Sequence, residues 1–265
     1  MFEATLIYML LGAFAGIAAG LLGVGGGLII VPVLVAVFQV QSFDSMIVMQ
    51  LALGTSLASI VFTSLSSVIA HHRRGAVVWS MVGKMAPGML LGAMFGAYVA
   101  DNVSGEQLKL FFAIFEVAVA VYMIIGTPVA KNAFQNILKG SELFAVSACI
   151  GGLASALGIG GGTITVPYLC MRGIKIHQAV AVSAACGLPI ALSGALGYCL
   201  FGLNEAALPA YSSGFIHWPA WAGIVAVSLL TAPLGATLAH HLPVASLKKV
   251  FAGVLLMMAL LMVSI

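Results

Sequence analysis

Twice in this chain a long apolar run is broken in the same way. Gly20 to Leu34 reads GLLGVGGGLIIVPVL and Ser155 to Leu169 reads SALGIGGGTITVPYL, so Gly23 aligns with Gly158 and Pro32 with Pro167, 135 residues apart. Within a helix a glycine costs about 1 kcal/mol relative to alanine and a proline about 3 kcal/mol. A chain that keeps a glycine cluster and a following proline at two matched places is leaving the helix there on purpose.

The surroundings decide what such a break can be. Hydrophobic residues make up 62% of the chain and charged ones only 6%, whereas soluble domains carry about 25% charged residues. The solvent is therefore lipid, and apolar runs of roughly 18 residues or more are membrane spans. Backbone that leaves the helix at membrane depth must be buried in protein or line a wet cavity, because lipid offers its polar groups no partner. The start, MFEATLIYML, lacks the basic stretch of a cleaved signal peptide and is expected to be retained. The location expected is the cell inner membrane, crossed several times. Lys and Arg sit near helix ends, where they report orientation, so the net charge of +3 implies no nucleic-acid partner.

A second alignment supports an internal duplication. LKLFFA (Leu108 to Ala113) matches LKKVFA (Leu247 to Ala252) at an offset of 139. The domains expected are a first membrane repeat over 1–130, a cytoplasmic linker over 131–140 and a second membrane repeat over 141–265. Duplication on this scale is a common transporter plan. Uninterrupted helices are predicted at 46–70, 77–100, 105–126, 178–201, 216–239 and 245–264. The broken segments are too long for one straight span of about 30 Å, and the arms after the glycines are too short to span alone.

Two arrangements follow. Eight alternating spans, four in each half, divide the basic residues five against five between the two faces. If each glycine segment instead enters and leaves by one face, Arg73, Arg74, Lys84, Lys131, Lys139, Arg172, Lys175, Lys248 and Lys249 share a side against Lys109 alone. Basic residues near spans favour the cytoplasm. The preferred fold is thus an all-α integral membrane protein of two inverted repeats, each a re-entrant broken-helix hairpin plus three transmembrane helices. Both termini then lie outside.

The glycines permit positive φ and let a ligand approach the main chain. The arm after each break begins with free N–H groups and the positive end of a helix dipole, which suits a small anion. Candidate substrate-binding positions are Gly23, Gly25, Gly26, Gly27 and Leu28 in the first half. In the second they are Gly158, Gly160, Gly161, Gly162 and Thr163. Close helix packing of the GxxxG kind is the competing use of such glycines, but packing alone does not require the proline.

These segments resemble the TauE/SafE family, the sulfite exporter or TSUP-type permeases. The resemblance runs over nearly the whole chain and rests on GLLGVGGGLIIVPVL at 20–34, LGTSLAS at 53–59, ALGIGGGTITVPYL at 156–169 and AVSAACGLPIALSGALGY at 181–198. It implies a permease for small anions, typically sulfite, sulfonates or other organosulfur compounds. One departure stands out: Gly54-Thr55-Ser56 is matched in the second half by Ala181-Val182-Ser183, so only Ser56 and Ser183 correspond.

Other residues carry weaker signals. Thr55, Ser56, Ser59 and Thr63 share a helix face and offer hydroxyls either to an oxyanion or to their own helix's carbonyls. Thr163 and Thr165 open the second arm. Glu116 is a carboxylate deep within a span, a costly placement that makes it the candidate for proton coupling. The cysteines (Cys149, Cys170, Cys186 and Cys199) read as buried small hydrophobes. His71, His72, His240 and His241 read as solvated interface histidines, Ser104 as a helix cap, and Ser193 or Thr231 as partners for backbone freed by Pro189 and Pro233.

The chain contains no GxxxxGK[ST] motif. A secondary transporter for a small anion is therefore expected, with lipid and a coupling ion (proton or sodium) as further partners and room for a homo-oligomer. No cofactor or metal is implied. A channel would use the same backbone site. An intramembrane enzyme would need paired carboxylates, HExxH or a Ser–His pair at membrane depth.

Overall fold

The computed structural model describes residues 2–22, 26–125, 140–238 and 244–265; of 2–4, 22, 236 and 244–250 it describes the backbone alone. Among these residues ten α-helices form: α1 Phe2–Leu22, α2 Gly27–Val40, α3 Val48–Arg73, α4 Trp79–Asp101, α5 Gly105–Ile125, α6 Ser141–Ala156, α7 Gly162–Met171, α8 Ile176–Phe201, α9 Trp218–Leu238 and α10 Val244–Ser264. The six uninterrupted helices lie within a turn of their sequence-predicted bounds. Between α8 and α9 a short antiparallel hairpin pairs β1 (Ser212–Ser213) with β2 (Ile216–His217). Gly23, Gly25, His240, His241 and the segment 126–139, with Lys131 and Lys139, lie outside the described residues.

The protein is an all-helical membrane protein. Val48–Arg73, Gly105–Ile125, Ile176–Asn204 and Trp218–Gly235 are each long and apolar enough to cross a bilayer. α1, α4 and α10, of 21, 23 and 21 residues, have the length of a span as well. α3 and α8 form the buried centre, while α5 turns most of its surface outward.

Pairs of touching residues give the helix directions. Gly12 meets Ile224 and Gly16 meets Ser228, so α1 and α9 run parallel. The Trp221 indole N–H donates to the Ala58 carbonyl at 3.2 Å and the Ser66 hydroxyl to the Leu229 carbonyl at 3.0 Å, so α3 is parallel to α9. Gly92 meets Ala148 and Gly96 meets Gly152 across α4 and α6, again parallel. The Ser193 hydroxyl donates to the Leu90 carbonyl at 2.6 Å and Gly197 touches Ala97, so α8 is parallel to α4. By contrast Gly194 meets Leu57 and Gly187 meets Ser64, so α3 and α8 are antiparallel. α1 and α2 are antiparallel too: Gly26 lies against Ala15, and the Gln41 amide donates to the Tyr8 hydroxyl at 2.9 Å.

Packing partners also exchange in a regular way. α1 packs on α9 as α6 packs on α4, while α3 packs on α8 and α5 on α10. Backbones approach closely at Gly12 and Gly92, where an added methyl would overlap the carbonyls of Ile224 and Ala148. Small residues with this role are the usual basis of helix association in lipid.

Several local expectations are met and one is corrected. α5 begins with the Gln107 N–H donating to the Ser104 hydroxyl at 3.3 Å. Pro233 deprives the Leu229 carbonyl of its helical donor, and that carbonyl accepts from Ser66 of α3. Thr231 instead bonds back to Val227, and Ser193 reaches across to α4. At Pro233 the replacement donor thus comes from a neighbouring helix, α3, which approaches at the freed carbonyl.

Candidate functional site

The residue before each arm has the same backbone geometry. Gly26 takes φ 79° before α2 and Gly161 takes φ 74° before α7. This left-handed turn is freely open only to glycine. The Gly26 carbonyl accepts from the N–H groups of Ile29 and Ile30, and the Gly161 carbonyl from Ile164 and Thr165. The N–H groups of Gly27 and Leu28, and of Gly162 and Thr163, precede the first intrahelical bonds and point beyond each helix start.

The start of α2 meets the second break. Gly27 lies against the Gly158 carbonyl, and a methyl on Gly27 would fall 2.8 Å from Ile159 Cα. The same Gly158 carbonyl accepts the Ser56 hydroxyl at 2.7 Å. Gly158 is itself left-handed, with φ 63°, and sits against Leu53 and Val31. The Gly160 carbonyl faces Gly187 beside Ser64. Ser183, also buried, lies one turn before Gly187 on α8. Four parts of the chain therefore converge: the start of α2, the turn before α7, α3 through Ser56, and α8 through Gly187.

The hydroxyls of α3 divide between uses. Ser59 bonds back to the Thr55 carbonyl at 2.8 Å and Thr63 to Ile60 at 3.2 Å, as hydroxyls in a helix commonly do. Thr55 accepts the backbone N–H of His217 at 2.9 Å. Ser56 is the member of the set that reaches the second break.

Around the second break lie polar atoms with no such use. Among the described residues the hydroxyls of Ser155, Thr163, Thr165 and Tyr168 are buried without a hydrogen-bond partner. Thr165 and Ser155 are fully buried residues, and the Thr165 hydroxyl is 3.6 Å from the position a methyl on Gly161 would take. At the matched positions of α2 stand Leu28, Ile30 and Val33. The polarity of this region belongs to the second half.

Glu116 is not brought to the breaks. It is fully buried on the face of α5 that holds Phe112, Ala113 and Ala120, and α5 packs chiefly on α10. Neither of its carboxyl oxygens has a hydrogen-bond partner among the described residues.

His71 and the cysteines differ from expectation, and one further residue stands out. His71 is buried rather than solvated, on the inward side of the last turn of α3; neighbouring His72 is exposed and accepts the Trp79 indole N–H at 3.1 Å. Cys149 is exposed on the outward face of α6 and Cys170 and Cys199 are half-buried, whereas Cys186 is fully buried on α8. His217 gave no sequence signal. It is buried with its ring 5.4 Å from those of both Phe38 and Phe43, and its Nδ1 accepts the Ala220 N–H at 3.4 Å to cap α9. Burial holds its pKa down at about 4.

The family model described as "Sulfite exporter TauE/SafE" matches residues 8–262. A "Probable membrane transporter protein" of Haemophilus influenzae is 38% identical, covering 98% of this chain and 98% of its own length. A protein of the same description from Methanocaldococcus jannaschii is 28% identical over 97% of this chain and 94% of its own. One from Bacillus subtilis is 30% identical over 62% and 67%. No solved structure matches the chain. These are membrane transporters rather than enzymes, and the chain belongs to the TauE/SafE sulfite exporter family of multi-pass membrane proteins.

Proposed function

We propose that this transporter is a secondary carrier of a small anion, sulfite, a sulfonate or another organosulfur anion, bound where the two glycine breaks meet. The N–H groups at the starts of α2 and α7 are the principal donors, and no cationic side chain is required. The contact between Gly27 and Gly158 carries the proposal, because it seats the start of α2 against the turn that leads into α7 inside the protein.

The helix directions support two inverted repeats, 1–130 and 141–265, joined by a linker at 131–140. α1, α3 and α9 share one direction, so α2 must return the chain to the face from which α1 entered. α4, α6 and α8 share the other direction, so α7 must do the same for α6. That favours re-entrant hairpins over eight alternating spans. The basic residues then gather on the cytoplasmic side, opposite Lys109. Close contact of the breaks also favours a carrier over a channel, since an open pore keeps its backbone walls apart. Glu116, buried and without a hydrogen-bond partner among the described residues, is the candidate for coupling to protons.

Reconstituted protein tests this directly. Sulfite and methanesulfonate should show saturable counterflow in liposomes, with chloride as the control anion. Gly26→Ala and Gly161→Ala together should abolish it while the protein still purifies as a monodisperse species. Full transport by the double variant would remove the breaks from the mechanism.

A further inference from the structure

α7 and α2 occupy equivalent places in the two halves yet present opposite chemistry along one face. Gly161, Thr165, Tyr168 and Arg172 are spaced by four, three and four residues, which stacks them along a single side of α7 and its last turn. The residues 135 positions earlier are Gly26, Ile30, Val33 and Val37, an apolar row. An arm of this shape thus packs well without hydroxyls, and the fold does not require the polar ones.

They also carry a cost as they stand. The Thr165 and Tyr168 hydroxyls are buried without hydrogen-bond partners among the described residues. Each such group loses its water without compensation. The row ends at a cation: the Arg172 guanidinium stands over the Tyr168 ring, 5.5 Å from its centroid. Starting from Arg172, an oxyanion would meet a guanidinium, two unused hydroxyl donors one turn apart, and then the N–H groups released by Gly161.

We propose that this face of α7 is a one-sided anion track, along which a small oxyanion passes between Arg172 and the glycine break by way of Tyr168 and Thr165. It has no counterpart on α2, so the two faces of the membrane present unequal half-sites. The track rests on the anion-carrier reading above and adds to it a direction and a set of side chains. Arg172 gathers the anion by charge, and the hydroxyls replace its hydration as it moves inward.

The test is sulfite counterflow measured separately from each face of oriented proteoliposomes. Tyr168→Phe keeps the ring and removes the hydroxyl. Thr165→Val is isosteric, and Thr165→Ser restores the donor. Loss of either hydroxyl should raise KM about five- to tenfold from the Arg172 face and leave the opposite face unchanged. Thr165→Ser should return KM towards the parent value. Arg172→Gln should raise KM from the same face and weaken its dependence on ionic strength. If Tyr168→Phe and Thr165→Val leave KM unaltered on both faces while Gly161→Ala remains inactive, the track is wrong and the glycine site stands. If Gly26→Ala with Gly161→Ala transports normally, both fall.

Discussion

Ser56 and Gly27 approach the same atom, the Gly158 carbonyl oxygen, one as a hydrogen-bond donor at 2.7 Å and the other as a glycine with no room for a side chain. A residue of α3 thereby fixes the second break while the start of α2 closes over it. The three elements are tied at one carbonyl, so movement of any one disturbs the others.

Ser56→Ala leaves that carbonyl buried without its donor, which costs about 1–3 kcal/mol. Thermal unfolding in detergent should show this loss. Gly27→Ala drives a methyl into the Gly158 carbonyl and so forces the breaks apart; transport should fall much further than with Ser56→Ala. Equal and small effects from both substitutions would mean that the contact is incidental to transport.

Much of this region can be read from the sequence, and the reasons are physical. Glycine clusters and prolines in a helix are local, costly features, so the breaks and the starts of α2 and α7 are legible from composition alone. Helix bounds follow hydropathy for the same reason. Long-range partners are not legible. Nothing local in Ser66 says that it serves the carbonyl freed by Pro233, since the two lie on different helices. His217 ends a polar loop and would be read as solvated. It is buried because the hairpin folds back, with Phe215 against Gly54 and the His217 ring among those of Phe38 and Phe43. The Ser56 hydroxyl also went to a backbone carbonyl, which sequence pattern cannot distinguish from a site open to ligand.

Sidedness is open to direct labelling. Single cysteines at Arg73 and Arg172, in a background lacking the four native cysteines, should both react from the cytoplasmic face, and one at Lys109 from the opposite face. The antiparallel course of α3 and α8 motivates this expectation, because an alternating eight-span chain would run them parallel. Opposite faces for Arg73 and Arg172 would restore the eight-span arrangement.

His217 makes stability depend on pH with a defined sign. Its folded pKa of about 4 lies below the ordinary histidine value of 6.5, so between them the unfolded chain binds the extra proton. Stability should therefore be full above about pH 6.5 and fall as pH drops towards 4. His217→Asn keeps a capping acceptor for α9 without the titration and should flatten the melting profile over this window. An unchanged profile would show that the ring is hydrated enough to charge in place.

Glu116 separates a coupling role from a packing role. It is fully buried on α5, and its oxygens have no partner among the described residues. Its match in the second repeat, at the 139 offset, is Leu255, which is also buried. An apolar residue therefore suits this kind of interface, and Glu116→Leu should raise stability by about 1–3 kcal/mol, because it removes a buried polar group that no described residue satisfies. Ionising the carboxyl where it sits is costly, so exchange with solvent needs a movement between α5 and α10 that admits water or a cation. If that movement is part of the transport cycle, Glu116→Gln and Glu116→Leu should abolish uptake driven by a pH gradient. Anion-for-anion counterflow, which needs no net proton movement, should persist. The measurement is both fluxes on one liposome preparation. Unchanged pH-driven uptake in both variants would make Glu116 a stability defect of the interface and place proton entry elsewhere.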